Sequence, residues 1–427
     1  MLTLLKKFTP LQQLARRAPP YYQGGRALLA RYERADEAER TRLLDGCERE
    51  LVTAARAAPA YATLDHLAQA PLLTKSEVRA APARYRARTL LPVSVARTSG
   101  TSGASLEVAR SVSLVMFEQA AIDWLVAKSG LDFSRAKIAV LRADTIKPPE
   151  DREPPFWTIS ADRRIVTLSA HHLDVETLPA YAEMLASFEP DILYAYPSAA
   201  LNLALLAARA KRDIQFKLAL TSSEELPPQT RARLTETFRC KSIDYYGQAE
   251  RVAFAWSTEP ERYFFLPAYG RVELPDGASG APEIVGACFH NRAQFLLRYR
   301  TGDHIVLGEG SDRDAILRGD APFAGVSGRA SDVVYGPEGE VFLGLNHIPR
   351  PFDQIEALQI IQTGPGAVTI LVRSERDRSD ALREQVRTVA RQKIGPVVAL
   401  DVEFADALRK STAGKTPFVI HDWKPVP

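Results

Sequence analysis

Strand-type and helix-type segments alternate through the middle of the chain, and this alternation limits the fold more than any other sequence feature. Short apolar runs recur between residues 137 and 246, separated by longer segments whose apolar residues have helical spacing. Parallel strands must be joined by crossovers, usually helical, so this order predicts a mostly parallel sheet with helices on its faces. The predicted strands include Lys137 to Arg142, Ile192 to Tyr196, Phe216 to Thr221 and Ser242 to Tyr246.

The predicted secondary structure changes in type twice toward the C-terminus. Beyond Tyr263, strand-type segments with turn signals predict a smaller β-rich subdomain. The final segment combines a predicted hairpin around residues 336–339 with helices and strands, including a helix over 353–358. A chain of 427 residues also exceeds one ordinary core. We predict an α/β fold with a large N-terminal domain over residues 1–326, which has mostly parallel layered sheets and the β-rich subdomain, and a small mobile α+β C-terminal domain over residues 327–427.

Composition and charge exclude several functional classes. The formal net charge is only +3, so no nucleic-acid partner is expected. The sequence contains no run of eighteen apolar residues, and therefore no membrane span is predicted. Its three cysteines are far apart and form no CxxC pair, which argues against a disulfide framework and a four-thiolate zinc site. A cytoplasmic location is the expectation.

A loop rich in hydroxyl groups and glycine lies between a predicted strand and a predicted helix. Residues 98–103 read Thr-Ser-Gly-Thr-Ser-Gly, and such a loop can bring backbone N–H groups and hydroxyls close to phosphate oxygens. It lacks the GK[ST] ending of a Walker A loop, which disfavours a P-loop ATPase. Considered alone, so short a loop is better explained as a surface turn.

Five segments in order make the loop more informative. Taken together they resemble the core motifs of the adenylate-forming superfamily, most closely its phenylacetate-CoA ligase and CapK-like branch, and the resemblance spans roughly Leu72 to Lys415. The segments are Thr98 to Gly103, Tyr246-Gly247-Gln248-Ala249-Glu250, Tyr299-Arg300-Thr301-Gly302-Asp303, Gly328-Arg329 and Gly414-Lys415.

The resemblance implies a role for each matching residue. Lys415 is implied to be catalytic, because an ammonium can bridge the reacting carboxylate and the α-phosphate, and Glu250 is implied to bind Mg²⁺. Tyr196 and Trp157 are predicted to contact the acid substrate. The predicted nucleotide-binding residues are Thr98, Ser99, Gly100, Thr101, Ser102, Gly103, Ser223, Glu224, Tyr245, Tyr246, Gly247, Gln248, Asp303 and Arg329.

The sequence departs from the family pattern at three points. The lysine that often follows the hydroxyl-rich loop is absent, and Ala249 stands where a Thr or Ser is usual before the glutamate. The usual charged hinge residue is replaced by Ser331, with Asp332 next. The missing lysine and Ala249 predict slower adenylation or a compensating donor elsewhere, and the change at Ser331 leaves the hinge residue open between Ser331 and Asp332.

The resemblance implies a ligase that uses ATP and Mg²⁺ to convert a carboxylic acid into an acyl-adenylate. Aryl or small organic acids are the expected substrates, and a thiol of coenzyme A or of carrier-protein phosphopantetheine is the expected acceptor. One alternative is transfer to an amine or hydroxyl, as in polysaccharide or natural-product biosynthesis. Another is a nucleotide-binding relative without catalysis. The expected partners are therefore a small-molecule acid and, if phosphopantetheine is the acceptor, an acyl carrier protein. The chain is expected to be a monomer or a homodimer.

Overall fold

The computed structural model describes most of the chain. Its described residues are 10–89, 91–97, 106–142, 144, 146–148, 151–170, 172–276, 281–308, 310–327, 334–337, 341–342, 345, 348–349, 351–352, 354–394, 398–410 and 416–423.

Local capping explains where several helices begin. The side chain of Thr74 accepts from the Glu77 N–H while the Glu77 carboxylate accepts from the Thr74 N–H, which forms a capping box at the start of α4. Asp36 and Ser111 cap α3 and α5 in the same way, each accepting a backbone N–H. The helices are α1 Pro10–Arg16, α2 Tyr21–Arg34, α3 Glu37–Ala55, α4 Lys75–Ala80, α5 Val112–Ala127, α6 Leu178–Phe188, α7 Pro197–Arg209, α8 Pro228–Phe238, α9 Arg313–Leu317 and α10 Asp380–Ile394.

The strands form hairpins and three larger sheets. A hairpin of β1 and β2 precedes α5, and another of β15 and β16 follows the β-rich region. The strands are β1 Val93–Arg97, β2 Glu107–Ser111, β3 Ile138–Arg142, β4 Trp157–Ile159, β5 Ile165–Ser169, β6 Ile192–Ala195, β7 Leu218–Ser222, β8 Lys241–Gly247, β9 Phe254–Glu259, β10 Arg262–Phe265, β11 Gly270–Glu273, β12 Glu283–Cys288, β13 Tyr299–Val306, β14 Gly325–Ser327, β15 Val334–Tyr335, β16 Val341–Phe342, β17 Ala357–Gly364, β18 Ala367–Arg373, β19 Ala399–Phe404 and β20 Val419–His421.

The central sheet has eight strands in the order β10-β9-β8-β7-β6-β3-β5-β4. Its five middle strands from β8 to β5 are parallel, and antiparallel strands cover both edges. Every residue of β6 and β7 is buried, because helices cover both faces of the sheet. Helix α5 packs on one face, and α6, α7 and α8 pack on the other. The carboxyl ends of the parallel strands therefore meet at one edge, where open α/β sheets commonly bind ligands.

Two smaller sheets follow. Strands β11 to β14 form an antiparallel sheet in chain order, which is the predicted β-rich subdomain. The C-terminal sheet has the order β19-β18-β17-β20 and is covered by α10, whose buried residues recur every four positions. Its hydrophobic core contains Ile360, Ile370 and Val386, so the C-terminal part has a core of its own.

The predicted fold class is confirmed, while one local prediction is wrong. The helix predicted over 353–358 does not form, because Ala357 begins strand β17 and pairs with Arg373 of β18. The predicted domain boundary between residues 326 and 327 falls inside β14, which pairs with β13, and the boundary and the mobility of the C-terminal domain remain predictions. Among the described helices, none is long and apolar enough to cross a membrane.

Candidate active site

A cleft of about 830 Å³ opens beyond the carboxyl ends of the parallel strands. One wall comes from the central sheet and its helices, and the other comes from the C-terminal part through residues such as Arg373, Lys410 and Thr416. The predicted nucleotide-binding residues that line it are Ser223, Glu224, Tyr245, Tyr246, Gly247 and Asp303. The fold thus brings together residues from β7, β8 and β13 that are distant in the chain.

A short hydrogen bond joins Tyr246 and Asp303, two of the predicted nucleotide-binding residues. The Tyr246 hydroxyl donates to Oδ2 of Asp303 at 2.6 Å, and Gln248 Nε2 donates to the same hydroxyl at 3.2 Å. Asp303 is only 5% exposed, yet it lies on the cleft wall. Its orientation is therefore set by a donor from the neighbouring sheet.

An irregular pairing in the β-rich sheet turns Asp303 toward β8. Opposite β12, the register of β13 shifts between Arg300 and His304, so β13 carries extra residues at this point. Gly302 has φ +72°, a conformation that favours glycine, and the Asp303 N–H donates to Thr301 Oγ1 at 3.0 Å. The Thr-Gly-Asp sequence is thus a local bend that positions a carboxylate.

Glu224 connects the two walls of the cleft. Its Oε2 accepts from the Ser198 N–H at the start of α7 at 3.0 Å, and its Oε1 accepts from the Thr416 N–H at 3.1 Å. The preceding residue, Ser223, has φ +75°, so the chain makes a sharp, strained turn directly after β7. This carboxylate holds the backbone next to Lys415 against the strand ends.

Glu250 lies beyond the end of β8, beside the β-rich sheet. The Tyr299 hydroxyl donates to its Oε1 at 3.1 Å. Within the described ranges, no three His, Cys, Asp or Glu side chains are grouped closely enough to hold a metal ion. Mg²⁺ is commonly bound by one or two carboxylates together with substrate phosphates, so a single glutamate fits an ion that is shared with a nucleotide.

Tyr245 faces away from Asp303. Its hydroxyl shares a 2.5 Å hydrogen bond with that of Tyr194, and its ring stacks on Phe254. Burial, followed by the neighbouring Tyr194, raises the pKa of Tyr245. Of the two adjacent tyrosines, Tyr246 is therefore the one that contacts the predicted ribose-binding carboxylate.

The predicted acid-binding residues do not line the cleft among the described residues. Tyr196 follows β6 and lies 4.9 Å beneath the Arg142 guanidinium, while Trp157 on β4 packs edge-on against Tyr181. Their substrate role stays a prediction. The predicted residues Thr98, Ser99, Gly100, Thr101, Ser102, Gly103, Arg329 and Lys415 lie outside the described residues.

Two basic residues at the strand ends were not predicted from the sequence. Arg142, the last residue of β3, donates from Nη2 to Ser222 Oγ at 2.5 Å. Lys410 Nζ donates to the Ala170 carbonyl at 3.2 Å; although the residue as a whole is exposed, desolvation of the ammonium group lowers its pKa. Lys410 lies in the same basic segment as Lys415, and this position could have identified it from the sequence. No sequence feature distinguishes Arg142 from the many other arginines of the chain.

Comparisons with known proteins agree with this geometry. No protein-family model matches the chain. CapK of Staphylococcus aureus is 20% identical over 374 residues, which cover 85% of this chain and 82% of CapK. Phenylacetate-coenzyme A ligase of Pseudomonas putida is 26% identical over 197 residues, which cover 42% of each protein.

A solved structure shares the fold over nearly the whole chain. The crystal structure of 2-hydroxyisobutyryl-CoA ligase in the postadenylation state, in complex with R3-HIB-AMP, superposes with a TM-score of 0.65 at 16% identity and covers 92% of each chain. The predicted resemblance is thereby confirmed. The chain is similar in sequence to CapK and to phenylacetate-coenzyme A ligase, and it shares the fold of 2-hydroxyisobutyryl-CoA ligase, as expected from its resemblance to the adenylate-forming superfamily.

Proposed function

We propose that this protein is an adenylate-forming ligase that activates a carboxylic acid with ATP and transfers the acyl group to a thiol. The observation that carries the proposal is the convergence of Tyr246, Asp303 and Glu224 on one cleft at the carboxyl edge of the sheet. The relatives support it, since one is named a phenylacetate-coenzyme A ligase and another binds R3-HIB-AMP in its crystal structure.

The first half-reaction joins two anions. An oxygen of the substrate carboxylate attacks the α-phosphorus of ATP, the bond from that phosphorus to the β-phosphate oxygen breaks, and pyrophosphate leaves. Asp303 accepts hydrogen bonds from the ribose hydroxyls, and Tyr246 keeps that carboxylate in position. Lys415 stabilises the charge that develops between the carboxylate and the α-phosphate. Glu250 holds Mg²⁺, which when bound neutralises phosphate charge.

The second half-reaction transfers the acyl group. A thiol sulfur attacks the acyl carbon, the bond from that carbon to the AMP phosphate oxygen breaks, and AMP leaves as the thioester forms. The thiol proton passes to solvent. Coenzyme A or a carrier-protein phosphopantetheine supplies the thiol, and the carrier protein is then a partner. Because Glu224 ties the Thr416 backbone to the strand ends, movement of the C-terminal part between the two steps must break that contact.

The acceptor separates the proposal from its closest alternative. Transfer to an amine or hydroxyl uses the same first half-reaction, so the two possibilities differ in which acceptor sustains repeated turnover and pyrophosphate release. We place the reaction in the cytoplasm, where ATP is available and where the three free cysteines stay reduced.

A screen of pyrophosphate release tests the proposal. Aryl, amino and short-chain acids are each supplied with ATP and Mg²⁺, with and without coenzyme A. We expect an acid-dependent signal for at least one class and a thioester product when coenzyme A is present. Release that needs an amine or hydroxyl instead of a thiol would favour the alternative acceptor. ATP binding without any acid-dependent release across the screen would contradict adenylation.

A further inference from the structure

A cluster of arginines lies inside the large domain, next to the loop that carries Glu250. The arginine cluster consists of Arg16, Arg110 and Arg251. The Arg110 guanidinium donates from Nε and Nη2 to the Ala249 carbonyl at 3.1 and 2.5 Å. Arg251 directly follows Glu250 and has φ +53°, which turns its side chain inward beneath the same loop.

The cluster contains more positive than negative charge. Glu118 is the carboxylate buried within it, 3.5 Å from Arg251 Nη2, and the Tyr269 hydroxyl also donates to Glu118. Glu250 lies at the margin, where its charge acts on Arg110. Three guanidinium groups therefore face one interior carboxylate and one that the proposed function assigns to Mg²⁺.

Some guanidinium donors in the cluster have no hydrogen-bond acceptor. Nε of Arg16 and Nη1 of Arg251 are both buried and have no partner among the described residues. Burying an unpaired charged donor is costly. Burial, followed by the neighbouring Arg251, lowers the pKa of Arg16.

Two carboxylates among the described residues, Glu118 and Glu250, act electrostatically on the arginine cluster. The aromatic neighbours contribute hydroxyls: Tyr194 and Tyr245 act on Arg16, and Tyr269 acts on Arg251. Planar guanidinium groups and hydroxyls are the groups that proteins use to bind carboxylates and other oxyanions.

We propose that the arginine cluster binds a second anionic group of the acid substrate, so that the preferred substrates are dicarboxylic acids. This inference rests on the proposed function, in which the reacting carboxylate meets the α-phosphate of a nucleotide whose Mg²⁺ Glu250 would hold. Arg110 donates to the carbonyl of Ala249, the residue before Glu250, and Arg251 is the residue after Glu250. The guanidinium groups on either side of this glutamate are therefore the cations that we assign to the second carboxylate of the substrate.

The proposed ligand group is an oxyanion, and a phosphate group of the nucleotide is also an oxyanion that the cluster could bind. Tyr246, which contacts the Asp303 that we assign to the ribose, packs with the core of the β-rich sheet, whereas Tyr245 packs with α5 and acts on Arg16 of the cluster. This division favours the acid as the source. The affinity for ATP separates the two sources experimentally.

Acids matched in size test the proposal. Succinate is compared with butyrate, and isophthalate with benzoate, in acid-dependent pyrophosphate exchange by the wild-type protein and by Arg16→Gln and Arg16→Lys. We expect the dicarboxylates to be preferred, and Arg16→Gln to lower kcat/KM for them roughly tenfold or more, as loss of a charged hydrogen-bond partner does. Arg16→Lys should recover part of the loss. Arg135→Gln, at a side chain that is 87% exposed, is the control for net charge.

Two results in this assay would overturn the inference. One is equal use of mono- and dicarboxylates, or a preference that Arg16→Gln leaves unchanged. The other is an increase in KM for ATP in Arg16→Gln with KM for the acid unaffected, which would assign the cluster to the nucleotide.

A binding measurement separates this inference from the proposed function. The thermal unfolding midpoint is followed with succinate or butyrate, in the wild-type protein and in Arg16→Gln. If no acid supports exchange but succinate alone raises the midpoint, and only in the wild type, adenylation fails and the anion site stands. If neither acid raises the midpoint and exchange shows no dicarboxylate preference, the anion site is rejected.

Discussion

The Tyr246 hydroxyl donates a 2.6 Å hydrogen bond to Asp303 Oδ2, across 57 positions of sequence and between two sheets. Tyr246 stands at the end of a parallel strand, and Asp303 stands in a bend of the β-rich sheet. The contact therefore fixes the predicted ribose acceptor to the strand that carries the rest of the nucleotide site.

Removing this hydroxyl should weaken ATP binding. In Tyr246→Phe, Asp303 loses a donor in a site from which water is largely excluded, and we expect the Kd for ATP to rise roughly tenfold. Titration calorimetry with ATP measures it. Tyr22→Phe is the matched control, because it removes a tyrosine hydroxyl that donates to Oδ2 of Asp123 at the same 2.6 Å, at a residue that does not line the cleft. An equal loss of affinity in both variants, or in neither, would contradict the assignment.

Glu224 should control how tightly the segment beside Lys415 is held. The glutamine side chain of Glu224→Gln has one accepting oxygen and one donating NH2 group in place of two accepting oxygens. It can therefore accept from only one of the backbone N–H groups of Ser198 and Thr416. We expect the Thr416 amide to exchange its hydrogen roughly tenfold faster, as measured by hydrogen exchange with mass spectrometry.

The exposed Glu236 on α8 provides the control for Glu224. Glu236→Gln makes the same chemical change away from the cleft and should leave exchange at Thr416 unaltered. Unchanged protection of Thr416 in Glu224→Gln would show that the contact does not hold the segment.

His290 should make the fold less stable in mild acid. Burial lowers the pKa of His290 to about 3 from an ordinary 6.5, while its ring stacks on Phe117 and its Nε2 contacts the Ala268 carbonyl. Between these pKa values the unfolded chain binds a proton that the folded protein does not, so the free energy of unfolding falls as pH drops below about 6.5.

Urea unfolding at pH 7 and pH 5 measures this effect. The wild-type protein should lose up to about 2 kcal/mol more stability than His290→Gln over that interval, since one pKa unit corresponds to about 1.4 kcal/mol. Equal losses in the two proteins would mean that His290 is not held neutral in the fold.

Local signals allowed much of the fold to be predicted from the sequence. The Thr74 start of α4 and the strands around Ile192 and Leu218 follow from short-range patterns of polarity and capping. Residues 353–358 misled the prediction because a short segment that mixes polar residues with Ile355, Ala357 and Leu358 suits a helix or a strand. Pairing of Ala357 with Arg373 decides between them, and such pairing is a tertiary effect.

The sequence named a set of candidate site residues, whose roles remain predictions, but it did not indicate how those residues are arranged. Asp303 and Glu224 were identified by resemblance, yet their partners Tyr246 and Thr416 depend on how separate sheets pack. The arginine cluster shows the same limit, because Arg16 and Arg251 are far apart in the sequence and only burial distinguishes them from other arginines.

Acid-dependent exchange of pyrophosphate into ATP by Lys415→Ala tests the central claim most directly. Loss of the bridging ammonium should lower exchange by roughly a hundredfold or more, as removal of one transition-state donor does, while the Kd for ATP stays near the wild-type value. Lys393→Ala, at an exposed lysine of α10 in the same C-terminal part, should exchange normally. Full exchange activity in Lys415→Ala would contradict acyl-adenylate formation at this site.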